Sequence, residues 1–528
     1  MAESIGAAWT RRDFLSRLGA VAGSSKLYGA MTALGLVAIP PAYAGPPRLP
    51  AGSGKGKKVI IVGSGIGGLV SAYELGKAGY DCMILEATAH VGGRNKTARH
   101  GDKLVEYDSE QLCEFDDDPH LYMNCGPARL PYHHQGILTY CRELGVALEP
   151  FVNDNRAAWV HSKEAFGGKP VRAQRMITDA RGGIAELLAK AISTDALDQP
   201  FSGEDKERML AFMHQFGDLD DQLKYTGSPR AGFTNGEAML EPGIPHEPYS
   251  LHQLLESDYW QFKMEFAEMW DMAATMMQPV GGMDMIVRGF AAKLGGVIRT
   301  GVPVTGIFNE DDKVRVRFKD PDGGERELSA DFCIDGAPAY VAAGIDNNFS
   351  DRYRAALKAV EPGHLFKIGF QTSRRFWEED DHIYGGISWT EQDILQIWYP
   401  PHGFHQKKGV ILGAYTFGPE TGKKFAALNP GARLALAMEQ GEKLHPGYSK
   451  MIDNGISVCW SKVPYLFGCA PEWSDEARKT HYPVLRQAEG RHHLVGDQMS
   501  YHSGWQEGAV YSAHSVIDMI HRLSLIHI

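Results

Sequence analysis

The sequence predicts an α/β fold, on three observations. Val59-Ile60-Ile61-Val62 has the length and β-branched content of a buried parallel strand. The glycine-rich loop Gly63-Ser64-Gly65-Ile66-Gly67-Gly68 follows it directly. A helical pattern through Leu69, Tyr73, Leu75 and Ala78 then leads past Gly79 to a second apolar run, Cys82-Met83-Ile84-Leu85, closed by Glu86. Strand, loop, helix, strand and terminal acid in this order make a complete Rossmann-like β-α-β unit.

Each part of the unit has a physical reason. Gly63 permits the strand-to-helix turn, Gly65 lets a pyrophosphate approach the backbone, and Gly68 lets the helix lie close to the sheet. Ile66 and Gly67 open the helix, whose free N–H groups face the phosphates. Glu86 is placed to accept hydrogen bonds from both ribose hydroxyls, and its charge repels a 2′-phosphate.

The composition bounds the remaining choices. With 528 residues, 43% hydrophobic and 23% charged, the chain is long enough for two or three packed domains and is not that of a disordered protein. A formal charge of −11 with no long basic block argues against a nucleic-acid partner. The 60 glycines point to many tight turns and close backbone approaches, as a large nucleotide cofactor requires. Seven cysteines without a C-x-x-C pair are too dilute for a disulfide scaffold. The pairs His133/His134 and His492/His493 lack a compact ligand set, so they read as surface or loop histidines and no metal is expected.

The N-terminus reads as a targeting segment. Thr10-Arg11-Arg12-Asp13-Phe14-Leu15 is a twin-arginine pattern, an apolar Gly/Ala-rich stretch follows from Leu18 to Ile39, and Ala42-Tyr43-Ala44 has the small residues of a cleavage site. Residues 1–44 are therefore expected to be a signal peptide for the twin-arginine route, delivering a periplasmic or secreted protein. Residues 45–56 read as linker, and no later stretch is a convincing membrane span.

The next segment narrows the cofactor. Ala87-Thr88-Ala89-His90-Val91-Gly92-Gly93-Arg94 resembles the continuation of the dinucleotide site in FAD-dependent amine oxidases, where the glycines pass the cofactor and the arginine faces its phosphates. FAD is expected over a nicotinamide. The likeness extends along most of the chain, which resembles the flavin amine oxidase superfamily and within it the L-amino-acid oxidases. Asn124-Cys125-Gly126-Pro127-Ala128-Arg129-Leu130-Pro131 resembles the stretch whose arginine grips the substrate carboxylate. Pro279-Val280-Gly281-Gly282-Met283 and Gly301-Val302-Pro303-Val304-Thr305 resemble the return to the FAD domain, the second passing the adenine. Phe366-Lys367-Ile368 resembles the strand with the flavin-proximal lysine, and Ile397-Trp398-Tyr399-Pro400 the aromatic pair of the substrate cage. Val495-Gly496-Asp497 and Gly504-Trp505 resemble the closing segment along the flavin. Asp497 stands where the family usually has a glutamate, and Ala128 replaces a bulkier residue.

This resemblance implies a Rossmann-like FAD-binding domain, a sheet-containing substrate domain and a helical domain. FAD-binding stretches are expected at 57–123, 276–345 and 456–528, the substrate domain at 346–455, and a mostly helical block with the entrance at 124–275. Within that block Ile184–Thr194, Glu207–Phe216 and Leu251–Met276 have helical periodicity, and 217–250 reads as an irregular connection. The aromatic and methionine residues of Tyr259–Met277 read as helix core, with a few of them facing the substrate tunnel as the alternative. The expected partners are a free L-α-amino acid and O2, with a homodimer possible.

The implied reaction moves the α-hydrogen of the amino acid as hydride to flavin N5, giving a 2-oxo acid, ammonia and hydrogen peroxide. Arg129 would hold the carboxylate through its planar fork. Lys367, a lone charge in the apolar run Leu365-Phe366-Lys367-Ile368, would hold a water against the flavin. Adjacent strand residues face opposite ways, so Trp398 and Tyr399 cannot both line one pocket; Tyr399 is expected there, with Trp505 or Trp398 as a flat wall. Gly63, Gly65, Ile66, Gly67, Gly68, Glu86, Ala87, Gly93, Arg94, Gly126, Pro127, Ala128, Arg129, Val304, Gly496, Asp497 and Trp505 would hold FAD, and Gly504 would border the substrate. A monoamine or polyamine oxidase, and a flavin-dependent 2-monooxygenase that forms an amide, remain alternatives. Tyr465-Leu466-Phe467-Gly468-Cys469 also resembles the monoamine oxidase stretch whose cysteine bonds the flavin, but the bulky Phe467 leads to an expectation of non-covalent FAD.

Overall fold

Lys58–Val62 (β1) forms the middle of a five-stranded parallel sheet in the computed structural model, which describes residues 45–197, 201–236, 240–261 and 263–526. β1 leads through the glycine loop into helix α1 (Ile66–Lys77), and α1 returns to β2 (Asp81–Leu85). β3 (Ile298–Arg299), β4 (Phe332–Asp335) and β5 (His492–Leu494) complete the sheet in the order β3-β2-β1-β4-β5, with every pairing parallel. α1 buries Leu69, Val70, Ala72 and Leu75 against Ile61, Ile84 and Ile334. The C-terminal helix Gln506–Ile526 covers the same face with Val510, Val516 and Ile517. This burial of branched side chains holds the glycine loop rigidly over the strand ends.

A second, seven-stranded sheet lies beyond it. Its order is Val171–Arg172, Trp159–His161, Gly386–Thr390, Gln396–Tyr399, Gly409–Phe417, Leu365–Thr372, Ile452–Cys459. The strand Leu365–Thr372 pairs on both sides, so Lys367 is not on an edge. Helices Pro419–Ala426 and Pro430–Gly441 cover one face, burying Phe366, Phe370, Ile411 and Tyr448. From the second of these helices Arg433 reaches across the fold to Glu106 on the hairpin Lys103–Glu106/Ser109–Leu112. The pair is bidentate at 2.7 and 2.8 Å, and neither side chain is more than 1% exposed.

The block 124–275 departs from a mostly helical reading. Helices Ala173–Ser193 and Gly203–Gly217 form and pack through Ala185, Ala189 and Met213. Leu251–Met276 is not one helix: Leu251–Glu256 forms, capped by Ser250 and Gln253, and the chain then runs through turns to the strand Met276–Pro279. That strand pairs with Leu130–Pro131 and Leu148–Phe151, while Trp159–His161 and Val171–Arg172 belong to the larger sheet. Strands of two to four residues are too short to carry a period, so the sequence pattern missed them. The described aromatic and methionine residues of 259–277 are correspondingly not helix core. Phe266 packs on Trp389, Met272 lines a cavity, and Trp270 is 59% exposed.

The surface-or-loop reading holds for His133 and His134, which lie in a turn, and is corrected for His492 and His493. His492 and His493 lie in β5 and are buried; His492 Nε2 stands 3.2 Å from Asp335 Oδ2 on the neighbouring strand β4. Burial pushes His493 down to about 3, so it is neutral at physiological pH. His134 is buried too and pushed down to about 3, while the His133 ring stacks on Trp270 at 3.7 Å. No group of three His, Cys, Asp or Glu suited to a metal ion occurs among the described residues.

Candidate active site

Two cavities open beside the glycine loop, one of about 310 Å³ and one of about 1200 Å³. Gly65, Arg94 and Gly336 line both, so the cavities meet at the glycine loop. The loop is built as its sequence requires. Gly63 turns with φ +85°, and a Cβ on Gly68 would come within 2.2 Å of the Gly63 carbonyl oxygen. A Cβ on Gly65 would meet nothing within 4 Å, so this backbone is open to a ligand. Gly65 caps α1 without a side-chain hydrogen bond. The N–H groups of the first turn are therefore available to phosphate oxygens.

The larger cavity is lined by Gly63, Glu86, Ala87, Thr88, Gly93 and Val304. Glu86 ends β2 with both oxygens engaged: Oε2 accepts from Ser64 N (2.9 Å) and Oγ (2.7 Å), and Oε1 from Thr88 N and Oγ1 (both 2.9 Å). This fixes the carboxylate at the cavity wall.

The smaller cavity gathers Ile66, Gly67, Gly68, Gly126, Pro127, Ala128, Arg129, Lys367, Trp398, Gly496, Asp497, Gly504 and Trp505, residues scattered over five sequence segments. At its junction with the larger one, Arg94 is paired with Asp497 and donates to the Cys469 carbonyl. Asp497 also accepts from Gly504 N at 2.8 Å. The short acid thus ties the closing segment to Arg94. Gly126 packs so tightly that a Cβ would stand 2.0 Å from the Arg94 carbonyl oxygen.

Arg129 is 7% exposed, and its hydrogen-bond and ring partners among the described residues are neutral. Nη1 donates to Asn153 Oδ1 (2.9 Å), Nη2 to Met272 Sδ (3.1 Å), and the guanidinium lies 4.6 Å from the Trp398 ring centroid and 5.2 Å from that of Phe266. Desolvation pushes its pKa down to about 10, with Tyr415 and Asp271 opposing from a distance. Lys367, 2% exposed, donates to the backbone carbonyls of Gly126 and Asn124 (3.2 Å). Burial pushes it down to about 8. Neither cation has an ion-pair partner among the described residues.

Tyr399 is not at this site. Its hydroxyl is 2.7 Å from both Ser388 Oγ and His445 Nε2, and His445 Nδ1 is 2.9 Å from Asp381 Oδ2, all on the opposite face of the sheet. Strand alternation separates Trp398 from Tyr399 as expected, with the faces the other way round: Trp398 lines the cavity. The tyrosine that lines the cavity is Tyr415, which sequence reasoning missed. Tyr415 is the cross-strand partner of Lys367, so both side chains share one face. Only the strand register reveals this.

The family profile described as "Flavin containing amine oxidoreductase" matches residues 66–516. The chain belongs to this family. An L-amino-acid oxidase of Siganus canaliculatus is 26% identical over 484 residues, covering 89% of this chain and 86% of that protein. An L-amino-acid oxidase of Pseudechis australis is 24% identical, covering 86% and 85%. Among solved structures, wild-type putrescine oxidase bound to putrescine superposes with a TM-score of 0.60 at 15% identity, covering 88% of this chain and 98% of that one. Cyclohexylamine oxidase from Brevibacterium oxydans gives 0.59 at 17% identity, covering 88% and 99%. These structural likenesses concern the fold.

The chain is a flavin-dependent amine oxidoreductase and its cofactor is FAD. The cavities fit that group. The glycine cradle and uncapped helix end suit a pyrophosphate. Asn95 Oδ1 and Gln506 Nε2 at the smaller cavity, and the Tyr340 hydroxyl at the larger, are buried polar atoms with no partner among the described residues. In family members FAD supplies the two-electron acceptor for amine oxidation.

Proposed function

We propose that the protein oxidises a free L-α-amino acid to the 2-oxo acid, releasing ammonia and reducing O2 to hydrogen peroxide. One observation carries the reading: Arg129 is a buried guanidinium on the cavity wall, held by neutral groups and free to pair with an anion. The only carboxylate on that wall among the described residues is Asp497, already paired with Arg94. A polycation would find no free counter-charge here, whereas an α-carboxylate would.

In this reading Arg129 takes the carboxylate and the Tyr415 hydroxyl donates to it, while Trp398 and Trp505 wall the side chain. The Lys367 ammonium commits two of its three donors to backbone carbonyls and keeps one for a water at the reacting centre. Gly67 and Gly126 pack closely against Gly496 and Arg94, which leaves the open backbone at Gly65 for the cofactor.

Anaerobic addition of L-amino acids and, separately, of their decarboxylated amines tests the proposal. Flavin bleaching by the amino acids, followed in air by keto acid, ammonia and peroxide, is expected. Preferential bleaching by the amines, or an amide product, would overturn it. Export by the twin-arginine route belongs to the same proposal; its signal, residues 1–44, lies outside the described residues, and an intact mass lacking those residues in exported protein is the check.

A further inference from the structure

We infer that Asn153 is the positioning residue that sets the charge selectivity of this site, by holding Arg129 in place without neutralising it. The inference rests on the carboxylate-binding reading of Arg129. Asn153 follows the strand Leu148–Phe151, is buried, and does not itself line the cavity. It stands behind the arginine.

Two hydrogen bonds fix its amide. Oδ1 accepts from Arg129 Nη1 at 2.9 Å, and Nδ2 donates to the Met272 carbonyl at 2.8 Å. The reversed amide would set an NH2 against the guanidinium and a carbonyl against a carbonyl, so the orientation is determined. The same Met272 offers its sulfur to Arg129 Nη2 at 3.1 Å. Asn153 therefore ties together the strand before it, the turn segment that brings Met272 to the cavity, and the guanidinium.

The choice of an amide matters more than the bond. A carboxylate of nearly the same shape at this position would form a buried ion pair and cancel the charge that the substrate must meet. It would also face the Met272 carbonyl with a like partial charge. With asparagine, Arg129 is oriented by a dipole and keeps its full charge for a ligand. Asp271 acts on Arg129 through space, and the two form no ion pair. Lys367 also acts on the site, adding a second unpaired positive charge.

The test uses the FAD-loaded wild type, Asn153→Asp and Asn153→Ala, each checked for its flavin spectrum and melting temperature. Steady-state kinetics are measured with a panel of L-amino acids and the matching decarboxylated amines, and benzoate binding is followed by the flavin spectrum. Asn153→Asp is expected to raise KM for the amino acid by roughly 10- to 100-fold, with kcat changed less and KM for the amine unchanged. Benzoate affinity should fall in parallel with amino-acid affinity. Asn153→Ala, which keeps the charge and loses the positioning, should raise the amino-acid KM less and leave the amine KM unaltered. Amino acid and amine weakened alike in either variant, or an Asn153→Asp protein that binds benzoate as the wild type does, would overturn the inference. If Asn153→Asp fails to bind FAD, the Asn153→Ala comparison decides alone. A wild type that prefers the amine is a separate result, and defeats the reading of Arg129 instead.

Discussion

The Lys367 ammonium lies 4.8 Å from the ring centroid of Tyr415, its cross-strand partner, and 5.7 Å from that of Trp398. Two aromatic faces and two backbone carbonyls thus hold a charge that no carboxylate among the described residues pairs with. Burial places its titration at about 8, so the group is a cation below that pH and a neutral amine above it. Lys367→Met is expected to slow reoxidation of reduced flavin by roughly 100-fold and to slow flavin reduction much less. In the wild type the oxidative half-reaction should fall as pH rises through about 8. Stopped-flow traces of the two half-reactions over a pH series check both; an oxidative rate unchanged by the substitution would remove Lys367 from the reaction.

Arg129→Ala should leave FAD bound and raise the amino-acid KM by roughly 100-fold, because the carboxylate would be desolvated without a charged partner. The matching amine should be affected little. Initial rates for the two compounds in both proteins measure it, and an equal response to both would remove Arg129 from carboxylate binding.

The bidentate pair Arg433–Glu106 is fully buried. Glu106 also accepts from Cys459 N at 2.9 Å, at the end of the last strand of the larger sheet. Glu106→Gln leaves a guanidinium buried without its counter-charge and should destabilise the protein by about 3–5 kcal/mol. Arg433→Met together with Glu106→Leu should recover much of that loss. Denaturant midpoints for the three proteins decide, and single and double variants of equal stability would contradict the account.

Cys469 lies on the cavity wall with its thiol pushed up to about 11 by burial. A thiol protonated at physiological pH is a poor nucleophile, which agrees with non-covalent FAD. Acid precipitation should leave the yellow colour in the supernatant. Flavin that stays in the pellet, and is lost from it in Cys469→Ser, would show a tether.

What the sequence made legible follows from the range of the interactions involved. The β-α-β unit is local: Gly63, Gly68 and the apolar runs of β1 and β2 constrain one another within thirty residues, and the structure reproduces the expected geometry. Tyr399 shows the opposite case. Alternation separates it from Trp398, but which of the two faces the cavity depends on helices Pro419–Ala426 and Pro430–Gly441 covering the other side. Tyr415 became visible only through its pairing with Lys367. Asn153 carried no motif, since its partners Arg129 and Met272 come from distant segments. The helix expected over Leu251–Met276 failed because a run of large apolar residues can serve irregular chain packed on a sheet as well as a helix core.

The parallel sheet also dictates an order of events during synthesis. β1, α1 and β2 leave the ribosome early, yet Leu69, Leu75 and Ile84 are covered by Val510, Val516 and Ile517, and β5 supplies the outer strand only at His492. Until then the first half of the molecule carries uncovered apolar surface and an unpaired strand edge, a state prone to self-association. The packing of the C-terminal helix on α1 spans most of the chain, and contacts so distant in sequence form slowly. Production of this protein should therefore gain more from slower synthesis and chaperone supply than from changes at the catalytic cavity, and fragments ending before His492 should accumulate as aggregates.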